Sequence, residues 1–118
     1  MYFLKILKTK ILHNYKELEI WKEGLELAKL VYEITKDFPK EEIYGLTSQL
    51  RRCAISISSN IAEGGGRDST KDFNHFIAIA TGLSFELETQ LILSNKLGYL
   101  NHEKLFLVLN KLSILQKK

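Results

Sequence analysis

Pro39 is the only proline in the 118-residue chain. A proline inside a helix costs about 3 kcal/mol and breaks the ladder of backbone hydrogen bonds. With a single such break, nearly the whole chain is free to run in long helices. The spacing of apolar residues then decides where those helices lie and which faces they bury.

Four helical segments follow from that spacing. The first is expected over residues 15–37, with Asn14 as N-cap and Glu17 three residues on, a capping-box pattern. Leu18, Trp21, Leu25, Ala28 and Tyr32 recur at steps of three and four and predict its buried stripe. Phe38-Pro39 ends it, because proline holds the preceding residue extended. Pro39 also suits the first position of a second helix, expected over residues 39–63, with Glu41 and Glu42 favoured in its first turn by the helix dipole. Its stripe is Ile43, Leu46, Leu50, Cys53, Ile57 and Ile61. Gly64, Gly65 and Gly66 are expected to end it through a left-handed C-cap. Ser69 caps a third helix that runs to about Leu97 and stops at Gly98, with Phe73, Phe76, Ile77, Ala80, Leu83, Leu87 and Leu91 facing inward. Asn101 caps the fourth, which reaches Gln116 and turns Leu105, Val108, Leu109, Leu112 and Leu115 inward. Short links between long helices predict an all-α, antiparallel, up-down-up-down four-helix bundle. No alternating β pattern and no internal repeat is present.

Two stretches carry no charge: residues 53–62 and, with His75 neutral, residues 73–85. A helix that faces water on one side rarely goes three turns without a charge. On the second helix Ile55 lies nearly opposite Ile57, beside Ser48, Arg52, Ser59 and Ala62. On the third, Ala78, Thr81, Gly82 and Ser84 are small enough for a close neighbour. These features predict a homo-oligomer, with another subunit against the second and third helices. A tolerant surface of small residues is the alternative.

Polar residues on these apolar helices form the candidate sites. Arg51, Arg52, Asn60, Glu63 and Glu86 are read as a structural polar network, inside the bundle or across subunits, in which either arginine could reach Glu86, since buried charges need partners; a catalytic or anion site is the alternative. The glycine-rich loop at residues 64–71 opens a helix, where free N–H groups favour anions. Arg67 and Lys71 there are the candidate nucleic-acid contacts, set against a plain C-cap followed by an N-cap. The loop lacks the Gly-Lys-Ser/Thr order of a phosphate-binding loop. His13, His75 and His102 have no metal-ligand spacing. No nucleophile, base and orienter can be assembled. A non-enzymatic protein without cofactor or metal is expected.

The lone Cys53 excludes an intrachain disulfide and reads as a small core residue. Lys5, Lys8 and Lys10 interrupt the apolar start, which makes a poor signal peptide. No run of about 18 uncharged apolar residues suggests a membrane span. A cytoplasmic protein without a membrane partner is therefore expected. Net charge is +3, from 17 basic and 14 acidic residues. Six lysines, Lys5, Lys8, Lys10, Lys16, Lys117 and Lys118, lie at the two ends. Without them the body has eleven basic residues against fourteen acidic ones. The chain divides into a basic extension at 1–16 and a mildly acidic bundle at 17–118.

Several segments together resemble a known family. They are Leu18-Glu19-Ile20-Trp21, the run from Phe38 to Ala54, Ser59-Asn60-Ile61-Ala62-Glu63-Gly64, Phe76-Ile77-Ala78-Ile79-Ala80 and Glu86-Leu87-Glu88-Thr89-Gln90-Leu91. The resemblance is to the bacterial four helix bundle proteins, also called 23S rRNA intervening-sequence proteins. It implies a homopentamer of antiparallel four-helix bundles without catalytic activity. Members are encoded in insertions within large-subunit rRNA genes or at ordinary loci. Related accessory proteins of diversity-generating retroelements form basic pentamers that bind a reverse transcriptase and nucleic acid. This chain departs from the pattern at Cys53, usually Ala, and at Gly65, usually bulky. It also lacks the arginine common in the family near Thr81-Gly82-Leu83-Ser84. The expectation is an oligomeric scaffold whose partner is RNA or an RNA-associated protein, with a protein-only adaptor as the alternative.

Overall fold

A computed structural model describes residues 14–117. The expected basic extension therefore lies mostly outside the described residues, as does Lys118. Among the described residues there are four helices: α1 (Glu19–Thr35), α2 (Leu46–Gly65), α3 (Thr70–Lys96) and α4 (His102–Gln116). Single 3₁₀ turns cover Tyr15–Glu17 and Lys40–Glu42. No strand occurs among the described residues. Helix α1 packs on α2, α2 on α3, α3 on α4, and α4 returns to α1. Thr35 at the end of α1 meets Arg51 near the start of α2, while Gly24 meets Ser58 farther along. Asn95 near the end of α3 approaches His102 at the start of α4. The shared core holds Leu27, Val31, Leu50, Ala54, Ile57, Leu87, Leu91, Val108 and Leu112, all essentially sealed from water.

Helices α3 and α4 begin where their caps predict. The Ser69 hydroxyl accepts from the Asp72 N–H at 3.1 Å, and Asn101 Oδ1 from the Lys104 N–H at 2.8 Å. Each satisfies a first-turn donor that the helix cannot. At the far end of α3, Gly98 has φ 81, the left-handed conformation that glycine adopts freely.

The first two helices start later than their spacing predicts. Asn14 caps only the 3₁₀ turn, accepting from Lys16 N–H, and Leu18 is extended at φ −73, ψ 124, so α1 begins at Glu19. Pro39 likewise precedes a 3₁₀ turn. Gly45, at φ −113 and ψ −116, leaves the helical region, so α2 begins only at Leu46. Glu42 Oε1 accepts from the Leu46 N–H at 3.1 Å and serves as the cap.

The buried stripe of α1 is also rotated from the expected one. It runs through Gly24, Leu27, Ala28, Val31, Ile34 and Thr35, leaving Leu25 and Tyr32 exposed. The reason lies in Gly24 and Thr35, whose burial no hydrophobic pattern signals. A Cβ on Gly24 would collide with Ser58 Oγ. Thr35 Oγ1 donates to the Val31 carbonyl at 2.8 Å and accepts from Arg51 Nε at 2.9 Å. The predicted stripe of the second helix is buried from Leu46 to Ile61, while Ile43, which precedes α2, is exposed.

The glycines that close α2 also act differently from expectation. Gly66 has φ −88 and is not left-handed. Gly64 is inside the helix, where a Cβ would lie 2.9 Å from Phe76 Cβ and 3.2 Å from the Phe73 carbonyl oxygen. Its role is to let the start of α3 approach.

Candidate interaction surface

Packing of α2 against α1 and α3 turns a narrow outer strip of α2 toward solvent. Ile55 is 44% exposed there, flanked by exposed Arg52 and Ser59. Between this strip and α1 lies a groove of about 320 Å³, bordered by Tyr32, Ile43, Thr47, Arg51 and Ile55. The Arg51 guanidinium sits 4.7 Å from the Tyr32 ring centroid, a cation–π arrangement, while its Nε donates to Thr35. Apolar side chains and a partly covered cation thus share one face. Thr47 Oγ1 is buried at its edge without a hydrogen-bond partner among the described residues.

A second groove, about 290 Å³, separates α2 from α3 and is lined by Gln49, Arg52, Cys53, Ser56, Glu86 and Gln90. The thiol of Cys53 donates to the Leu83 carbonyl at 3.2 Å. Burial, with a smaller contribution from the Glu86 charge, pushes this thiol up to about 11, against a weaker opposing backbone hydrogen bond from Leu87. It stays protonated at neutral pH and makes a poor nucleophile, in keeping with a core residue.

The five residues expected in one polar network are dispersed. Arg51 binds Thr35, and Arg52 donates to Ser48 at 3.3 Å. Asn60 donates to the Ser56 carbonyl at 2.8 Å. Glu63 pairs with Arg67 at 3.1 Å, and Glu86 meets Gln90 at 3.5 Å. Among the described residues neither arginine reaches Glu86 in an ion pair. Both arginines are on or near the surface, so neither requires a buried counter-charge.

Of the two candidate nucleic-acid contacts, Lys71 is exposed in the first turn of α3. Arg67 is engaged on two sides, by Glu63 and by the Phe76 ring at 4.8 Å. An open surface hollow beside it includes Tyr15, Ser59 and Ala62.

The third outer face is one that sequence spacing did not isolate. Phe85 on α3 and Phe106 on α4 are 56% and 64% exposed, with Ile92 and Ile114 also outward. Of the small residues expected to face a neighbour, Ala78, Thr81 and Gly82 do point outward, and a Cβ on Gly82 would meet nothing within 4 Å. Ser84 instead turns inward, bonded to Gln116. By length and composition α3 could cross a membrane, with mean hydropathy 1.4 over its most apolar stretch. That composition reflects its inward leucines together with its uncharged outer face.

The profile of a family described as 23S rRNA-intervening sequence protein matches residues 16–118. The chain belongs to that family. A solved structure similar to this family member is a protein with unknown function from the S23 ribosomal protein family of Bacteroides thetaiotaomicron. The two share a TM-score of 0.74 at 24% identity, over 83% of this chain and 92% of that one. Similarity at that identity concerns the fold. No curated protein matches. In this intervening-sequence family member, no group of three His, Cys, Asp or Glu side chains among the described residues is placed to hold a metal ion.

Proposed function

We propose that this protein is a non-enzymatic, cytoplasmic scaffold that assembles with copies of itself and serves an RNA or an RNA-associated protein. In this reading the unit is an antiparallel up-down-up-down bundle and the assembly is a pentamer. The observation that carries it is the outer face of α2 and its α1 border. There Ile55, Ile43 and Tyr32 are exposed together along a helix without a charge from Cys53 to Ala62. Contiguous exposed apolar surface on a folded chain marks an interaction site. The order of contacts around the bundle supports the antiparallel unit, and the family description supports the association with ribosomal RNA. Light scattering on a sizing column tests the assembly. A mass several times 13.6 kDa is expected, and a species of that mass at micromolar concentration defeats it.

The RNA partner would be held by the lysine-bearing ends and by Lys71, repeated by symmetry, because the body is mildly acidic. Binding to large-subunit rRNA fragments should then weaken steeply with salt. No measurable affinity at low salt, from protein purified free of nucleic acid, removes the RNA reading. The acidic body and the pairing of Arg67 with Glu63 favour a second reading, a protein-only adaptor. Recovery of protein but no RNA on pull-down from the native cell would select it.

A further inference from the structure

An apolar groove of about 260 Å³ opens at the end of the bundle where α1 and α3 begin and α2 and α4 finish. Its hydrocarbon walls come from Ile20, Ile57, Ile61, Phe73, Ile77 and Leu115. An engineered apolar cavity of about 150 Å³ already takes benzene, so this groove has room for more than one aliphatic side chain. Its polar groups, the exposed Asn74 apart, are occupied. Thr81 Oγ1 donates to the Ile77 carbonyl at 2.9 Å, and Ser84 Oγ donates to the Thr81 carbonyl while accepting from Gln116. A small-molecule site normally offers converging polar groups; here those groups already bond to each other and to the backbone. What the groove lacks is hydrocarbon.

The chain supplies hydrocarbon close by. Residues 1–13 lead into Asn14, and Leu4, Leu7 and Ile11 recur among them at steps of three and four. Tyr15 lines the hollow at Ser59 and Ala62, its ring 5.3 Å from that of Trp21, one residue along α1 from groove-lining Ile20. A chain spans up to about 3.3 Å per residue, so thirteen residues have reach to spare. A tethered segment competes at an effective concentration in the millimolar range. We propose that the apolar residues of the N-terminal segment, Leu4, Leu7 and Ile11 foremost, dock in this groove of their own chain. Lys5, Lys8 and Lys10 would stay in water, their charges carried at the bundle end.

A disulfide trap on the full chain tests this. In a Cys53→Ala background, Leu4→Cys, Leu7→Cys or Ile11→Cys is each combined with Thr81→Cys, at an exposed position that lines the groove. Each is also combined with Ser59→Cys, which lies in the hollow beside Tyr15 but outside the groove. At least one Thr81 pair should close an intrachain disulfide about tenfold faster than its Ser59 counterpart, the margin expected of docking over a free tether. Equal rates, no intrachain disulfide, or disulfides only between chains would overturn the proposal. A Leu4→Asp, Leu7→Asp variant gives an independent readout. Amide exchange over Phe73–Ile77 should quicken while overall helicity holds; exchange unchanged from the parent chain also overturns it.

Discussion

Two glycines on neighbouring helices are distinguished only by what faces them. At Gly64 an added Cβ meets the Phe73 carbonyl and Phe76 Cβ, neither of which can swing away. Gly64→Ala should destabilise the fold by about 1–2 kcal/mol, because overpacking outweighs the roughly 1 kcal/mol gained in helix propensity. Gly82 faces open space, so Gly82→Ala should stabilise by about 0.8–1 kcal/mol. Urea midpoints check both. A loss at Gly82 would mean that something packs against it in solution. Cys53 makes a third residue-scale case. Its folded thiol is held at about 11, above the ordinary cysteine value. The raised value means that the folded state favours the protonated thiol. Its contribution to stability is complete below the ordinary value and fades as pH rises toward 11. Alkylation of the native chain should therefore follow a thiolate midpoint near 11; a midpoint near 9 contradicts the burial that sets it.

At the scale of elements, the caps decided what spacing could and could not locate. Ser69 and Asn101 stand next to apolar runs that begin at once, so the starts of α3 and α4 were legible from local chemistry. The start of α2 was not, because its cap is Glu42, four residues before Leu46 and across a glycine. That arrangement depends on a tertiary contact: Glu42 Oε2 accepts from the Tyr99 hydroxyl at 3.0 Å, 57 residues away in sequence. The stripe of α1 was misjudged for a similar reason, since Gly24 and Thr35 are buried by their neighbours Ser58 and Arg51. Glu42→Ala should cost about 1–2 kcal/mol, the usual loss of a helix cap. The same change should lower the Tyr99 phenol, which its hydrogen bond to Glu42 holds above 10.0. In the parent chain the protonated phenol is the favoured partner. That preference is intact below the ordinary tyrosine value and lost as pH rises through the raised one. Phenolate absorbance read against pH in both chains checks the shift, and coincident curves would refute the coupling.

For the whole molecule, the single chain satisfies its core but not its outside. Leu50 and Ile57 on α2 are sealed, whereas Ile55, between them in sequence, is 44% exposed on the opposite side. Missing charge makes this face visible in the sequence, and on α3 the uncharged run 73–85 reaches as far as Phe85; the exposure of Phe106 is unmarked, because it sits in the apolar run 105–109, where composition does not say which members turn outward. Arg51 and Arg52 border this face, but Arg51 is held by Thr35 and the Tyr32 ring and Arg52 by Ser48, which leaves an apolar strip with a polar rim. Ile55→Asp separates folding from assembly. Surface substitutions that touch no core or cap usually change stability by less than about 0.5 kcal/mol, so the bundle should keep its helicity and its urea midpoint as a monomer. A charge buried at an apolar contact carries a desolvation cost of several kcal/mol, which a rim arginine such as Arg52 offsets only in part. In the proposed pentamer that penalty recurs at every interface. The variant should therefore run on a sizing column as a folded 13.6 kDa chain where the parent runs as a larger species. If Ile55→Asp leaves the parent's mass unchanged, this face lies outside the assembly contact, and the exposed aromatics of α3 and α4 become the surface to test.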